Sequence, residues 1–377
     1  MKVAIVHDYI KEHGGAERVL ESLHNVFPDA PIYTSVYLPS FLGPHRERFE
    51  SMDIRTSFLQ YLPFKSKLIS PFRLVASLAF GRFDFSKYDV VIVSATGAYL
   101  PNSINKKNAV QICYCHTPSR YLYGYETARD WKKSYTSVVI GTIAIHILRM
   151  FDFKYSKNVD DYIANSEETR RRMQKFYRRD AAVIYPPVEI KNHESRIMNQ
   201  GKGEYYLTGG RIARAKHTDL ILEAFAKNGL PLKIFGKGFA GFEEELRKKF
   251  GKYKNIEFLG EVGDEEKDEL MKGAKAFVFA SEDEDFGIVP VEAMMAGTPV
   301  IAHRSGGVLE TVIEGETGLF FDEFSVESLN NAIKKFETLR RAQGMFDSAK
   351  IKQHAQKFSK ERFEREIKEF VNSKADS

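Results

Sequence analysis

The sequence predicts an α/β protein of two doubly wound domains, each built on a parallel sheet with helices on both faces. Short apolar segments alternate with longer amphipathic segments in both halves of the 377-residue chain. This alternation is typical of parallel strands joined by crossover helices. A polar stretch without periodicity at 189–202 separates the two series. Two such domains in series leave a cleft between them, which is a natural place for a ligand.

The first series of elements belongs to a domain that we place at residues 1–192. We predict strands at 3–7, 32–37, 90–94, 110–115, 162–166 and 182–185, and helices at 16–26 and 167–177. Ligands of such sheets bind at the carboxyl ends of the strands. The Gly14-Gly15 turn after the first strand and His116 after the fourth are therefore expected at one edge. Taken alone, the glycines are equally a plain turn into a helix, and a lone histidine is more often structural.

The second series restarts at residue 203, in a domain that we place at 203–357. We predict strands at 205–208, 232–235, 256–259, 276–279, 300–303 and 317–320, with helices between them. From residue 324 onward the chain is expected to be helical and highly charged.

Composition narrows the class of protein. A hydrophobic content of 43% and an aromatic content of 13% are those of a globular protein. The 56 basic and 51 acidic residues give a net charge of +5, which is too balanced to indicate nucleic acid as a partner. The same charge is compatible with a phosphorylated substrate.

The chain carries no predicted membrane span and is expected to work in the cytoplasm, as a soluble or peripheral protein. We expect no signal peptide, because Met1 runs directly into a strand. The longest apolar run, 136–151, is shorter than the ~18 residues that indicate a transmembrane helix. Cys113 and Cys115 share one face of a strand and are not placed for an ordinary disulfide, so we expect reduced thiols.

The stretch 280–303, which reads ASEDEDFGIVPVEAMMAGTPVIAH, carries the strongest functional signal. It is expected to run from a strand through an acidic loop into a helix with Pro290 at its first position. The N–H groups near Gly287 then point at an anion such as phosphate. Glu284 and Glu292 on either side can accept hydrogen bonds from hydroxyl groups. A phosphate between two hydroxylated rings is the arrangement found in a nucleotide sugar. Either glutamate alone is more simply a solvated or helix-stabilising acid.

Arg211 and Lys216 follow the strand at 205–208 and the glycine pair at 209–210. They enter a helix from its N-terminal side, where a diphosphate would lie. A planar guanidinium and a compact ammonium both match phosphate oxygens. Two surface cations at a helix start are the simpler explanation, which the preceding glycines weaken.

The whole of 280–303 resembles the signature of family 4 glycosyltransferases, which are retaining, metal-independent enzymes of the two-domain GT-B type. The segments HDYIKEHGGAERVLESL, CHTPSRYLY and YPPV most resemble the mannosyltransferases of surface polysaccharide (O-antigen) assembly. The resemblance implies two Rossmann-like domains facing across a cleft, with a terminal helix at 358–377 that packs back onto the first domain. It implies GDP-mannose as the first choice of donor, a UDP-sugar as the second, and a glycan or polyprenyl-diphosphate-linked acceptor.

The resemblance also implies roles for individual residues. His116 and Glu284 are the candidate catalytic residues. The residues implied in binding the nucleotide sugar are Gly14, Gly15, Arg211, Lys216, Val262, Phe286, Gly287, Ile288, Val289 and Glu292. Among these, the two cations hold the diphosphate, Glu292 holds the ribose, and Val262 falls where the family reads the base. The leaving phosphate helps to deprotonate the acceptor, and no metal or other cofactor is expected.

Three rival functions stay open at this point. Residues 236–241 formally match the G-x-G-x-x-G fingerprint of an NAD(P)-dependent oxidoreductase, with Glu257 and Glu261 about 20 residues further on. This turn follows the second strand of its domain, however, and no hydride-transfer acid or base accompanies it. A nucleotide-sugar epimerase of the same fold is the second rival, and a non-catalytic binder of nucleotides or sugars is the third.

The acidic loop also has a possible metal-binding interpretation. Asp283 and Asp285 spell the D-x-D motif that holds a metal ion in single-domain glycosyltransferases. Two acids alone hold a hard cation poorly. The residues that follow them belong to the metal-independent signature, so we expect no required metal.

The stretch 54–83 is basic and aromatic, without one acidic residue. Its five cations are Arg55, Lys65, Lys67, Arg73 and Arg82. Such a segment suits an anionic membrane surface or a lipid-linked diphosphate. A pair of helices packed on the first sheet, with lysines at the edge, explains it equally well.

Overall fold

The computed structural model describes residues 1–125, 135–190, 203–341 and 345–375, with the backbone alone for 135–140. The chain divides into two compact units. The first contains Met1–Tyr125, the described residues that follow as far as Pro187, and the terminal helix from Lys360. The second contains Val188–Ser359. Each unit has its own parallel sheet, as the sequence predicts.

The described part of the first unit has a sheet in the strand order β3-β2-β1-β4-β5-β6-β7. Its strands are β1 (Val3–His7), β2 (Ile32–Thr34), β3 (Ile54–Thr56), β4 (Val90–Ala95), β5 (Val110–Cys115), β6 (Asp161–Ala164) and β7 (Ala182–Val183). All of the neighbouring pairs are parallel. The order reverses between β1 and β4, and doubly wound sheets bind ligands at this switch point.

Helices cover both faces of the first sheet. In the described part of this unit they are α1 (Gly15–Val26), α2 (Glu47–Glu50), α3 (Ala76–Gly81), α4 (Tyr135–Ser156) and α5 (Glu167–Tyr177), and another returns from the end of the chain. This last helix buries Phe363, Ile367 and Val371 in the same cluster as Leu20 and Leu23 of α1. Its apolar residues recur every four positions and so form one face. The predicted return of the terminal helix to the first domain is confirmed.

The second unit is a six-stranded sheet in the order β10-β9-β8-β11-β12-β13 within the described residues. Its strands are β8 (Tyr206–Gly209), β9 (Leu232–Phe235), β10 (Ile256–Gly260), β11 (Phe277–Phe279), β12 (Val300–His303) and β13 (Gly318–Phe321). Its helices are α6 (Thr218–Asn228), α7 (Phe242–Phe250), α8 (Asp264–Gly273), α9 (Ile288–Met295), α10 (Val308–Thr311), α11 (Val326–Arg341) and α12 (Ser348–Ala355), and the terminal helix of the first unit is α13 (Lys360–Ala375). The switch point lies between β8 and β11.

The basic stretch 54–83 differs from the predicted pair of helices. It contains the edge strand β3, short 3₁₀ turns and the six-residue helix α3. Leu59, Phe72 and Phe80 are buried in the core of the first unit, whereas other apolar side chains of the stretch are exposed. The exposed ones include Tyr61, Leu62, Phe64, Leu74 and Leu78.

The apolar run 136–151 forms most of α4. Over the described part of the chain, none of the helices combines the length and the apolar character needed to cross a membrane.

One buried carboxyl group makes the stability of the first unit depend on pH. Asp152 of α4 accepts a hydrogen bond from the hydroxyl of Tyr123 at 2.9 Å. Burial raises the pKa of Asp152 to about 7, against the opposing effect of hydrogen bonds from Tyr123 and Tyr177. Because the folded pKa is raised, this group stabilises the fold in its protonated form, and the contribution is lost as the pH rises from about 4 to about 7.

We expect Asp152→Asn to flatten this dependence. Between pH 4 and pH 7 the wild-type protein should lose stability relative to the variant by on the order of a few kcal/mol, since one pKa unit corresponds to about 1.4 kcal/mol. Thermal unfolding at a series of pH values measures the difference. Asp29→Asn, at an exposed position of the same unit, is the control and should follow the wild type. Parallel curves for wild type and Asp152→Asn would contradict the prediction.

Candidate active site

A small pocket with charged groups in a partly apolar lining opens at the switch point of the second sheet. It has a volume of about 50 Å³, which suits a phosphate group rather than a whole nucleotide sugar. Arg211 and Lys216 reach it from the loop after β8, and Glu284 reaches it from the loop after β11. Gly287, Ile288 and Val289, which lead into α9, form another wall. The structure therefore brings together six of the residues that the sequence analysis named.

Lys216 and Glu284 form an ion pair in this pocket. The ammonium group contacts Oε2 of Glu284, and the hydroxyl of Ser281 donates to the same oxygen at 2.6 Å. Lys216 ends a short 3₁₀ turn, after which His217 adopts a left-handed conformation with φ of +48°. The pocket thus holds a cation, an acceptor and a hydroxyl within reach of one another. Sequence reasoning missed Ser281, although its position two residues after a strand end was a usable signal.

The glycine turn before α9 is sharper than the sequence suggests. Gly287 has φ of +88°, a conformation that favours glycine. The chain enters the helix directly after it, so α9 begins at Ile288 and Pro290 is its third residue rather than its first. Pro290 still costs the helix no hydrogen bond, because the first four N–H groups of a helix have no partner within it. Glu292 is the fifth residue and lies beyond the first turn.

The neighbouring turn at Gly306-Gly307 supports the Glu284 loop. A Cβ atom on Gly306 would lie 2.4 Å from the carbonyl oxygen of Glu284. The N–H of Gly307 donates to that same oxygen at 2.8 Å. Phe286 is buried, and its ring packs edge-on against Phe358 at 5.6 Å. These contacts hold the acidic loop in place, and a side chain at either glycine would displace it.

Glu292 belongs to a different environment from Glu284. It is 1% exposed, and its Oε1 lies 2.8 Å from the ammonium group of Lys267 in α8. Asp268 beside them is also buried, and burial raises its pKa to about 6, helped by the charge of Glu292. Among the residues that the structure describes, the pocket lining includes neither Glu292 nor the half-buried Val262. Their assignment to ribose and base stays a prediction.

His116 ends a chain of polar groups at the carboxyl edge of the first sheet. Its Nε2 lies 2.9 Å from the hydroxyl oxygen of Ser94, which is 3.1 Å from Nδ1 of His7. Burial lowers the pKa of His116 to about 3, so its imidazole is neutral near pH 7. Sequence reasoning missed Ser94 and His7, which are the last or next-to-last residues of neighbouring strands.

Gly14 and Gly15 lie at the start of α1 on the same edge. The N–H of Gly14 donates to Oε2 of Glu17 at 2.9 Å, which closes the turn. Asp8 follows β1 in the loop that leads to these glycines. Its Oδ2 accepts a hydrogen bond from the N–H of Thr96 at 2.8 Å. The first unit therefore presents the predicted glycines and histidine together with a buried carboxyl group that the sequence analysis did not name.

In the dinucleotide fingerprint at 236–241, a backbone group that would bind the diphosphate is already hydrogen-bonded within the protein. The N–H of Gly238, which a diphosphate would use, donates to Glu243 at 2.9 Å. A Cβ on Gly236 would lie 1.8 Å from the carbonyl oxygen of Gly210, so this glycine permits a close approach of two turns. Glu261 is exposed and lies 3.2 Å from Lys237. The structure does not favour an oxidoreductase.

The D-x-D motif has no cluster of ligands around it in the described ranges. Within them, no group of three His, Cys, Asp or Glu side chains is placed to hold a metal ion. Asp283 has a left-handed backbone, and its N–H donates to the hydroxyl of Ser305 at 2.9 Å.

Two doubly wound units in one chain, with cations and a helix start at the switch point of the second, define the class of GT-B enzymes. Comparison with protein families identifies the class further. The model described as Glycosyltransferase Family 4 matches residues 13–192, and the one described as Glycosyl transferases group 1 matches residues 190–358. The chain belongs to the family 4 glycosyltransferases.

Individual relatives agree with this assignment, and solved structures share the fold. The α-1,3/1,6-mannosyltransferase ALG2 of Dictyostelium discoideum is 27% identical over 305 residues, which cover 70% of each chain. Mouse ALG2 is 24% identical over 76% of this chain and 73% of its own. Sucrose-phosphate synthase from Thermosynechococcus elongatus superposes with a TM-score of 0.74 at 17% identity, and both chains are 99% covered. HepE from Anabaena, in complex with UDP and glucose, gives 0.69 at 17% identity over 99% of this chain and all of its own.

Proposed function

We propose that the protein transfers mannose from GDP-mannose to a glycan or polyprenyl-diphosphate-linked acceptor, with retention of anomeric configuration and without a metal ion. The observation that carries the proposal is the pocket in which Arg211 and Lys216 lie beside Glu284 at the start of α9. The ALG2 relatives, which are named mannosyltransferases, favour mannose. A UDP-sugar is the second choice of donor, in line with the nucleotide bound by the HepE structure.

The chemistry follows from where charge develops. As the sugar leaves the donor, negative charge builds on the diphosphate, and the cations of Arg211 and Lys216 are in place before the reaction begins. One preorganised group of this kind contributes about 3 kcal/mol to transition-state stabilisation. Lys216 is paired with Glu284 in this pocket. When the donor binds, its phosphate replaces Glu284 as the partner of Lys216, and the sugar hydroxyls replace Lys216 as the partners of Glu284.

The remaining assignments complete the proposed donor site. Glu284 and the backbone of residues 286–288 hold the sugar, Glu292 holds the ribose and Val262 holds the base. His116, Gly14 and Gly15 keep the role in donor binding that the family resemblance implies, and the neutral imidazole of His116 exchanges hydrogen bonds without bringing a charge. The leaving phosphate accepts the proton of the acceptor hydroxyl.

A panel of nucleotide sugars tests the donor. We expect GDP-mannose to raise the unfolding temperature more than GDP-glucose, UDP-glucose or UDP-N-acetylglucosamine, because a ligand that binds only the folded state stabilises it. It should also be the donor that is hydrolysed slowly when no acceptor is present. Release of an epimerised sugar would instead identify an epimerase, and binding without turnover, even with glycan acceptors, would identify a binding protein.

We further propose that the exposed side of 54–83 lies on the membrane that carries the acceptor. Tyr61, Phe64 and Leu78 are each more than 60% exposed there, and the stretch has cations but no acid. Aromatic and basic side chains together favour the interface of an anionic membrane.

Replacing Lys65 and Lys67 by glutamate should weaken binding to anionic vesicles by about tenfold or more, since each cation near such a surface contributes about 1 kcal/mol. Co-sedimentation with vesicles measures the effect. The control replaces Lys248 and Lys350 of the second unit, both exposed, by glutamate. Equal losses in the two double variants would indicate an effect of net charge alone and would argue against this contact.

A further inference from the structure

A second pocket lies on the first unit and shares no residue with the donor pocket. It is open, with a volume of about 420 Å³, and lies where the last turns of α4 and α5 meet the segment after β5. Its side-chain lining consists of Tyr123, Arg149, Phe153, Lys175, Phe176 and Arg178. None of the described residues that line it is acidic.

The three cations of this pocket differ from the other basic residues of α5. Arg170 is paired with Asp180, and Arg171 and Arg172 with Glu168. In contrast, Arg149, Lys175 and Arg178 form no ion pair with a carboxylate elsewhere in the described ranges. Three uncompensated positive charges around one pocket favour an anion that itself carries more than one charge.

The pocket is held in shape by aromatic stacking and by hydrogen bonds. The rings of Tyr123 and Phe176 stack with centroids 4.3 Å apart, and the Tyr123 hydroxyl is anchored on the buried Asp152. Nε of Arg149 donates to the carbonyl oxygen of Leu122 at 2.8 Å. This bond orients the guanidinium while its two terminal nitrogens stay available, which is the geometry that suits phosphate oxygens.

An apolar face of α4 runs beside this pocket. Ile143, Ile147, Met150 and Phe151 are spaced by four, three and one residues, so they lie on one side of the helix. All four are between 41% and 58% exposed. Arg149 and Phe153 occupy the adjoining side of the same helix and line the pocket. A site for a multiply charged anion therefore borders a surface that favours hydrocarbon.

We propose that this pocket binds the terminal phosphate or diphosphate of a membrane amphiphile, while the apolar face of α4 lies among the acyl chains. A phosphate monoester carries a charge of about −1.5 to −2 near pH 7, which three cations can compensate. The inference rests on the proposed contact with a membrane and is independent of the donor sugar. It adds a lipid-binding site to a part of the first unit outside 54–83.

The test compares vesicles that differ in the presence of a terminal phosphate. Phosphatidylcholine vesicles containing phosphatidic acid are compared with vesicles brought to the same surface charge with oleate. The variant is Arg149→Gln/Lys175→Gln/Arg178→Gln. Its control, Lys248→Gln/Lys334→Gln/Lys350→Gln, removes the same charge at exposed positions of the second unit.

We expect the wild type and the control to bind phosphatidic acid vesicles about tenfold or more tightly than oleate vesicles, and the pocket variant to lose this preference. Ile147→Ser/Met150→Ser should weaken binding to both kinds of vesicle, because it removes apolar surface without changing charge. Equal binding of the wild type to both vesicles, or an unchanged preference in the pocket variant, would overturn the proposal. Calorimetry with inorganic pyrophosphate is a further test. Tight binding of this soluble anion, without any preference between the vesicles, would show a phosphate site that does not need a lipid. That result would also overturn the proposal.

Donor hydrolysis without vesicles keeps this proposal separate from the proposed function. The pocket variant should hydrolyse GDP-mannose at the wild-type rate. If the wild type fails to hydrolyse GDP-mannose yet prefers phosphatidic acid, the donor assignment fails and the lipid site stands. If hydrolysis proceeds normally and the preference is absent, the lipid site fails and the donor assignment stands.

Discussion

Replacing Lys216 by alanine is expected to lower the rate of sugar transfer by about two to three orders of magnitude, the loss typical of removing one preorganised group that stabilises a developing charge. Lys216 is the cation that lies in the pocket beside Glu284 at the start of α9. Without it, the leaving diphosphate loses a positive charge, and Glu284 loses the ammonium group with which it pairs. Initial rates of GDP-mannose consumption at saturating acceptor measure the effect on kcat.

The same turn offers a matched control. Arg214 is two residues away, but its guanidinium points to the surface, where it pairs with Glu245 at 2.7 Å. Arg214→Ala should therefore leave the rate within about twofold of the wild type, because exposed ion pairs contribute little. Lys216→Arg keeps the charge but changes its shape, so it should fall between the two. If Lys216→Ala and Arg214→Ala have similar rates while both remain folded, the donor site is not at this pocket.

Strands buried on both faces were the easiest elements to predict. β1, β4 and β5 read as continuous apolar runs because helices cover both sides of the sheet, and the predictions end within one residue of the observed strands. β3 was missed because it is a three-residue edge strand, half-exposed, and carries an arginine in its middle. β2 ends at Thr34, earlier than predicted, because the chain bends at Ser35, and Tyr37 pairs with Ile10 only as an isolated bridge.

The candidate site was predictable where one short segment carries it. The loop from Glu284 to Val289 holds acid, glycine and helix start together, so local sequence is sufficient to expect an anion site. The helix start was predicted at Pro290, two residues too late, because the left-handed Gly287 lets the helix begin at Ile288.

Contacts between distant segments were not predictable in this way. The pairing of Lys216 with Glu284 spans 68 residues and that of Lys267 with Glu292 spans 25. No local pattern encodes either pair. The first pair arises because the neighbouring parallel strands β8 and β11 deliver their loops to the same edge of the sheet. The second arises because the helices α8 and α9 pack against each other.

The second pair leads to the largest expected change in stability. Glu292→Ala should lower the free energy of unfolding by about 3–5 kcal/mol, because the buried ammonium group of Lys267 loses its nearer carboxylate and keeps the more distant one of Asp264, at 3.8 Å. Glu292 and Lys267 are 1% and 9% exposed, and their charges lie 2.8 Å apart. Denaturant titration measures the loss. Glu261→Ala is the control, because Glu261 pairs with Lys237 at the surface, and its loss should be under about 1 kcal/mol. A loss from Glu292→Ala no larger than that of the control would contradict the prediction.

A double variant separates this structural role from the proposed contact with the ribose. Lys267→Met/Glu292→Met replaces the buried pair by apolar side chains of similar length, a change that is often neutral or stabilising. Stability should therefore return to within about 1 kcal/mol of the wild type. If Glu292 also holds the ribose, affinity for GDP-mannose stays low in this stable protein, because methionine cannot accept hydrogen bonds from the ribose hydroxyls as a carboxylate does. Wild-type affinity by calorimetry would show that donor binding does not need the carboxylate of Glu292, and it would remove Glu292 from the donor site.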